Sequence, residues 1–338
     1  MVEVAVNVSV ALIPVVLFLG LLVVLDSYQL VGIRSILGSI AIGCSAAALL
    51  YAALEIVPSI PADSIVYTRY GAPIIEETLK AGFLVYLIRS RKVGFMVDAA
   101  IQGFALGAGF ALFENVYYLE SLHETNLLLW IVRGFGTAVM HGGTTAIVGI
   151  ISKNFSDVKD STSFRVFLPG LATGIIIHSL FNHFILPPVT STIVVVVFLP
   201  ILMLGAFAQS EKATRAWLGV GFDNDAELLT IVTTGGIGTT RIGHYLDSIQ
   251  NKFRGEVVAD MLCYLRIYLE LAIQAKGILL MRESGFRVEP DPLVQAKFDE
   301  MTYLQKSVGK TGLLALSPFL RTSNRDLWQM HMLKHESA

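Results

Sequence analysis

The chain has 338 residues, of which 54% are hydrophobic and 15% charged, with a net charge of −2 and a mean hydropathy of +0.64. Soluble domains carry charge on about 25% of positions, so this surface cannot all face water, and the near-neutral balance gives no reason to expect nucleic acid as a partner. The two cysteines, Cys44 and Cys263, fall in an apolar and a polar part of the chain, which excludes a disulfide framework.

A helix needs roughly 20 apolar residues to cross the hydrocarbon core of a bilayer. Segments of that kind run at 7–25, 36–57, 65–88, 95–119, 126–151, 166–186 and 189–209, and they predict seven spans. The first lacks the basic leader of a signal peptide and reads as a retained span. Arg89, Arg91 and Lys92 sit in the loop at 89–94, Lys153, Lys159 and Arg165 in the loop at 152–165, and Arg34 follows the first span. The loops at 58–64 and 120–125 hold no Lys or Arg. Basic loops stay inside, which predicts an outside N-terminus and a cytoplasmic C-terminal part in a multi-pass protein of the cell membrane.

Residues 210–338 change character: charges return and apolar residues space out. Val257, Leu262, Leu265, Leu269, Leu271 and Leu280 lie among charges and predict a long amphipathic helix over 256–282. Further helix is expected near 291–307 and 323–334. The run Thr233–Gly238 reads as a loop and not a phosphate cradle, because no GK[ST] follows. The expected architecture is all-α: a polytopic transmembrane helix bundle over 1–209, then a small helical cytoplasmic domain over 210–338 with no visible chemistry.

Ionisable groups inside a membrane helix cost a few kcal/mol each and usually mark a site or pathway. The third span carries Glu76, Glu77 and Lys80, spaced so that the lysine can pair with either carboxylate. Pro73 just before them removes a backbone hydrogen bond and loosens the helix. Asp98 and Glu114-Asn115 lie on the fourth span, Arg133 and His141 on the fifth, and His178, Asn182 and His183 on the sixth. His178 and Asn182 are four apart and share a face. At 1.5 Å per residue, Glu114, His178, Glu76 and His141 fall at roughly 8, 12, 16 and 22 Å from the outer edge, close enough for one polar cavity. Singly, each has a plainer reading. Glu76–Lys80 can be a structural ion pair, Asp98 an interfacial partner of Arg91 or Lys92, Arg133 a snorkelling residue, Glu55 an interfacial one, and His183 a helix–helix hydrogen bond. Glycines 103, 107 and 109 on the fourth span, and 134, 136, 142 and 143 on the fifth, suit close packing at least as well as a substrate gate. Two glutamates, a third on the next span and histidines on the two after that favour a site.

These residues resemble a known family. Glu76-Glu77-x-x-Lys80, Phe110-x-x-x-Glu114-Asn115, Arg133 with His141, and His178-x-x-x-Asn182, in that order on successive helices, look like the PrsW family of intramembrane proteases. That family is distantly related to the CAAX-prenyl endopeptidase and bacteriocin-processing group. The likeness covers about residues 65–190. It implies catalytic roles for Glu76, Glu77 and His178, with Glu114 and His141 carried over beside them. It also implies a membrane-anchored protein as substrate, such as the anti-sigma factor that family members of known role cut. It says nothing of residues 210–338.

Peptide hydrolysis needs a water, a base and donors for the oxyanion. A carboxylate desolvated among apolar side chains can take and return a proton near neutrality. Glu76 or Glu77 would serve, with Lys80 or Arg133 keeping the other ionised, His178 orienting the water and Asn182 donating to the oxyanion. Thr144 and Thr145 are poorly placed for covalent attack. Zinc is the variant left open, with His141, His178 and either Glu77 or Glu114 as ligands. The absence of HExxH spacing and the amide at Asn182 favour a glutamate-based site without it, so no cofactor is firmly expected. The rival from another class is a proton- or ion-coupled transporter using the Glu/His cluster as a relay, although no internal repeat of the kind transporters show is visible. A third reading makes the polar spans a mere support for a working tail.

Overall fold

The structure is a computed structural model that describes residues 2–56, 64–122, 128, 131–234, 244–245, 248, 252–286, 288, 291–320 and 323–336. Among these residues it contains helices and turns and no strand. The chain divides into two compact units, Met1–Glu211 and Lys212–Ala338. The first comprises α1 (Val2–Val24), α2 (Ile33–Ile56), α3 (Ala72–Arg89), α4 (Met96–Leu122), α5 (Val139–Val158), α6 (Leu168–Asn182) and the first part of α7 (Pro188–Thr234). Two π-helical turns lead into helices, Tyr67–Gly71 into α3 and Val132–Ala138 into α5. Five stretches are long and apolar enough to cross a membrane: Ile33–Ile56, Met96–Tyr118, Gly134–Val158, Phe164–Asn182 and Pro188–Thr234. The helix α3 is not among them because Glu76, Glu77, Lys80 and Arg89 all fall within its 18 residues.

The centre of the first unit is α4. Its Ala99, Ala100, Ile101, Phe104, Ala105, Leu106, Ala108 and Phe110 are completely buried. That burial depends on small residues, since lipid gives helices no hydrophobic reason to associate and close packing has to hold them together. A side chain at Gly103 would sit 2.6 Å from the Thr145 carbonyl of α5, one at Gly107 would overlap the His141 carbonyl, and one at Gly109 would overlap the Ile40 carbonyl of α2. The glycines named from the sequence therefore serve close packing: on α5, Gly142 abuts the Phe104 ring and Gly143 abuts Leu199 of α7. Ser39 of α2 donates a hydrogen bond to Gln102 of α4, whose amide donates to Ser35 at 2.6 Å.

Two expectations need correction. Asp98 does not pair with Arg91 or Lys92. It accepts the backbone N–H groups of Gly94 (2.6 Å) and Phe95 (2.7 Å), orphan donors at the start of α4. Lys153 is not in a loop, because α5 continues to Val158 and buries it beside Asp157. Most of the two loops without Lys or Arg used for orientation, and most of the Thr233–Gly238 run, lie outside the described residues, as does the side chain of Arg133.

The second unit holds the end of α7 with α8 (Gly255–Glu283), α9 (Val294–Leu316) and α10 (Asn324–Glu336), near the segments expected to be helical. Its core gathers Leu265, Tyr268 and Leu269 of α8 with Leu228, Leu229, Met301 and Met330. Inside it, the completely buried Lys276 donates to Asp225 at 2.6 Å and lies 5.1 Å from the Trp217 ring centre.

Candidate active site

The site begins with a defect in backbone hydrogen bonding. In the π-helical turn Tyr67–Gly71 the N–H of Ala72 reaches back five residues to the Tyr67 carbonyl. The next residue, Pro73, has no N–H to give. The carbonyls of Thr68 and Arg69 thus lose their regular helical donors, and buried carbonyls need partners. The C-terminal half of α6 supplies them: Asn182 Nδ2 donates to Thr68 at 2.9 Å and Ser179 Oγ donates to Arg69 at 2.6 Å. His183 adds a contact of 3.0 Å to the Tyr70 hydroxyl. These bonds fasten α6 to the start of α3 and bring His178 against the glutamates one turn further on.

Glu76, Glu77 and Lys80 are all buried, and so are His141 and His178. The Lys80 ammonium donates to Glu77 Oε1 at 2.6 Å and lies 3.1 Å from His141 Nδ1. Glu77 Oε1 is also 2.8 Å from His178 Nδ1. On its other side His141 places Nε2 at 2.9 Å from Glu114 Oε2. Beneath them the Phe110 ring lies 4.8 Å from the ammonium and 5.6 Å from the His141 ring. The two imidazoles meet edge to face, with centroids 4.8 Å apart.

The tautomers follow from these partners. An ammonium only donates, so His141 Nδ1 accepts from Lys80, which puts the ring proton on Nε2, 2.9 Å from Glu114 Oε2. At His178 the carboxylate of Glu77 accepts from Nδ1–H, which leaves the lone pair on Nε2. The two unprotonated nitrogens, His141 Nδ1 and His178 Nε2, lie 3.9 and 4.0 Å from the same oxygen, Glu76 Oε2. That oxygen is buried and accepts no hydrogen bond among the described residues. An acceptor left bare in this way costs several kcal/mol in an apolar interior, so it marks a place built for a ligand. Glu76, His141 and His178 each offer a ligand atom within 4.8 Å of the others, and all three are buried. Two imidazoles and a carboxylate are a donor set suited to zinc. Glu77, hydrogen-bonded to the far nitrogen of His178, and Glu114, whose Oε2 lies 2.9 Å from the far nitrogen of His141, stand where carboxylates orient histidine ligands.

A cavity of about 470 Å³ opens against this group. Glu76, Glu114, His141, His178 and Asn182 line it, with Tyr51, Tyr67 and Phe181 in the apolar wall. Glu77 and Lys80 stand behind that surface. Five of the six residues singled out from the sequence thus face one cavity and the sixth, Glu77, supports them. The zinc variant left open from the sequence takes Glu77 or Glu114 beside the two histidines, whereas the three residues whose ligand atoms converge are Glu76, His141 and His178, and Glu77 lies against the other nitrogen of His178. Ser179 was missed. The missing N–H of Pro73 was the available signal, since it leaves the Arg69 carbonyl in need of a donor.

Comparison with curated proteins and with solved structures found no match. A family model described as PrsW family intramembrane metalloprotease matches residues 27–205, just over half of the chain. The chain belongs to that family, and with it to the intramembrane proteases.

Proposed function

We propose that the protein hydrolyses a peptide bond of a membrane-anchored, single-pass protein within the bilayer, with Glu76, His141 and His178 as the centre of the reaction. The observation that carries this reading is the buried, unbonded Glu76 Oε2 facing two imidazole lone pairs on a cavity wall. The same three groups would hold a zinc ion. Bound there, zinc would polarise the scissile carbonyl and make a bound water acidic enough to attack at neutral pH.

The remaining tasks fall to the protein's own side chains. Glu77 holds His178 with its lone pair towards the cavity, and Lys80 holds Glu77 in place for that purpose. Glu114, beside His141 and on the cavity wall, is the carboxylate that would take a proton from the attacking water and return it to the leaving amine. Asn182 spends one amide hydrogen on Thr68, and its second is available to an oxyanion in the cavity. The volume suits a short extended stretch of chain, and apolar walls keep bulk water out.

A second reading rests on the same oxygen: without a metal, Glu76 itself is the base that activates water. In either case the membrane orientation read from the basic loops puts residues 210–338 in the cytoplasm, and cleavage of an anti-sigma factor or similar anchor would release a signalling protein. The family match disfavours a transporter.

The test is to map new protein termini in membranes of cells making the wild-type chain, Glu76→Gln or His178→Ala at equal expression. Termini within transmembrane segments that arise only with wild type support proteolysis, and identical termini in all three sink it. Treating the purified protein with a chelator, then restoring zinc, separates the two mechanisms. Activity lost and regained marks the metal enzyme, and activity untouched by chelation marks the glutamate base.

A further inference from the structure

Among the described side chains the cluster holds one cation of its own, and its position is informative. Lys80 is completely buried, and its ammonium lies 3.1 Å from His141 Nδ1. That nitrogen is the one nearest Glu76 Oε2, at 3.9 Å. It has a single lone pair, and the other ring nitrogen points elsewhere, towards Glu114 Oε2 at 2.9 Å. His141 therefore cannot accept from Lys80 and ligate a metal through Nδ1 at the same time.

We propose that Lys80 competes with a metal for this site: its ammonium occupies the lone pair of His141 Nδ1, and a metal held by Glu76, His141 and His178 would displace it onto Glu77 alone. This rests on the metal-dependent reading of the site. Lys80 has somewhere to go, because it already donates to Glu77 Oε1 at 2.6 Å and lies over the Phe110 ring. The lysine also gives the buried carboxylates a positive charge of the protein's own. The consequence is competition. Two cations a few ångströms apart repel strongly in a buried site, so Lys80 weakens metal binding while it stabilises the protein without metal.

A lysine that merely fastens α3 to α5 would behave in the opposite way, because its loss would loosen the ligands and weaken binding. Zinc affinity of the purified full-length protein, measured by competition with a coloured chelator, separates the two. The variants are wild type, Lys80→Met and Glu76→Gln, with the melting temperature taken with and without zinc. Lys80→Met is expected to bind zinc about tenfold more tightly than wild type, or better. Its melting temperature without zinc is expected to be lower, and the rise on adding zinc larger. Equal or weaker binding by Lys80→Met, with wild type binding better than Glu76→Gln, overturns the role of Lys80 and leaves the metal site standing. If neither wild type nor Lys80→Met binds better than Glu76→Gln, the metal reading falls and this inference falls with it. Should the methionine variant fail to fold, Lys80→Gln, which can still donate to Glu77, carries the same expectations.

Discussion

Lys80 in the first unit and Lys276 in the second are both completely buried, and each holds a carboxylate at 2.6 Å. Their surroundings differ. Lys276 reaches Asp225 beside the face of Trp217, within a core of aliphatic and aromatic side chains. Lys80 shares its carboxylate with His178, touches His141, and stands next to a Glu76 oxygen with no hydrogen bond among the described residues. A buried ion pair is weak evidence of function, because pairs also occur as structural elements. What marks the first pair is the bare acceptor beside it and the cavity in front.

The widest gap between the two should appear on removing charge. Glu76→Gln is expected to lower cleavage at least about a thousandfold while the melting temperature holds or rises, since the substitution neutralises an unsatisfied buried carboxylate. His178→Ala is expected to lower cleavage as far, with a lower melting temperature because Glu77 loses a buried partner. Cleavage of a membrane-anchored reporter and a thermal melt on the same preparation check this. Cleavage that survives Glu76→Gln would make the first cluster as structural as the second. Lys276→Met should do the reverse. It takes the ammonium away from a buried carboxylate and is expected to destabilise the second unit by about 3–5 kcal/mol, with cleavage per folded molecule unchanged. Adding Asp225→Leu should recover much of that loss, because replacing both partners removes the buried charge as well. A loss of cleavage at full stability would show that the second pair has a role beyond packing.

Between these lies a packing test. Gly107 of α4 rests against the backbone of His141, where a methyl group would overlap the carbonyl oxygen. Gly107→Ala is expected to cost about 1–3 kcal/mol through overpacking and to lower cleavage about tenfold by shifting His141 from Glu76 and Glu114. A reporter assay beside a melt would show both changes, and full activity would mean that α5 can retreat without disturbing its histidine.

Much of this was legible in the sequence for a simple reason: charged residues are so disfavoured in apolar segments that each one stands out. Glu76, Glu77, Glu114, His141 and His178 could be picked by type and depth alone, and their order on successive helices gave the family. What could not be read was direction. Whether Glu76 or Glu77 faces the cavity depends on how the π-helical turn at Tyr67–Gly71 rotates α3, and hydropathy carries no trace of a π turn. Asp98 was misassigned because basic neighbours in sequence, Arg91 and Lys92, looked closer than the backbone N–H groups of its own helix start. Lys153 was placed in a loop because a lone lysine usually ends an apolar run, whereas here α5 continues and pairs it with Asp157 one turn on.

The smallest effect tests the oldest link in the chain of causes, the one between Pro73 and α6. Ser179 Oγ donates to the Arg69 carbonyl, whose regular helical donor would be the N–H that Pro73 lacks. Ser179→Ala alone should cost about 1 kcal/mol, the net worth of one such bond, and should lower cleavage only a few-fold because Asn182 still ties α6 to Thr68. Pro73→Ala restores the N–H, so Arg69 regains a helical partner and the serine becomes redundant. In that background Ser179→Ala should cost markedly less than it does in the wild type, which a double-mutant cycle on melting curves would read as a coupling of about half a kcal/mol or more. Additive costs would mean that Ser179 fastens α6 for some reason other than the proline. The position of His178 against Glu77 would then owe nothing to the irregular start of α3.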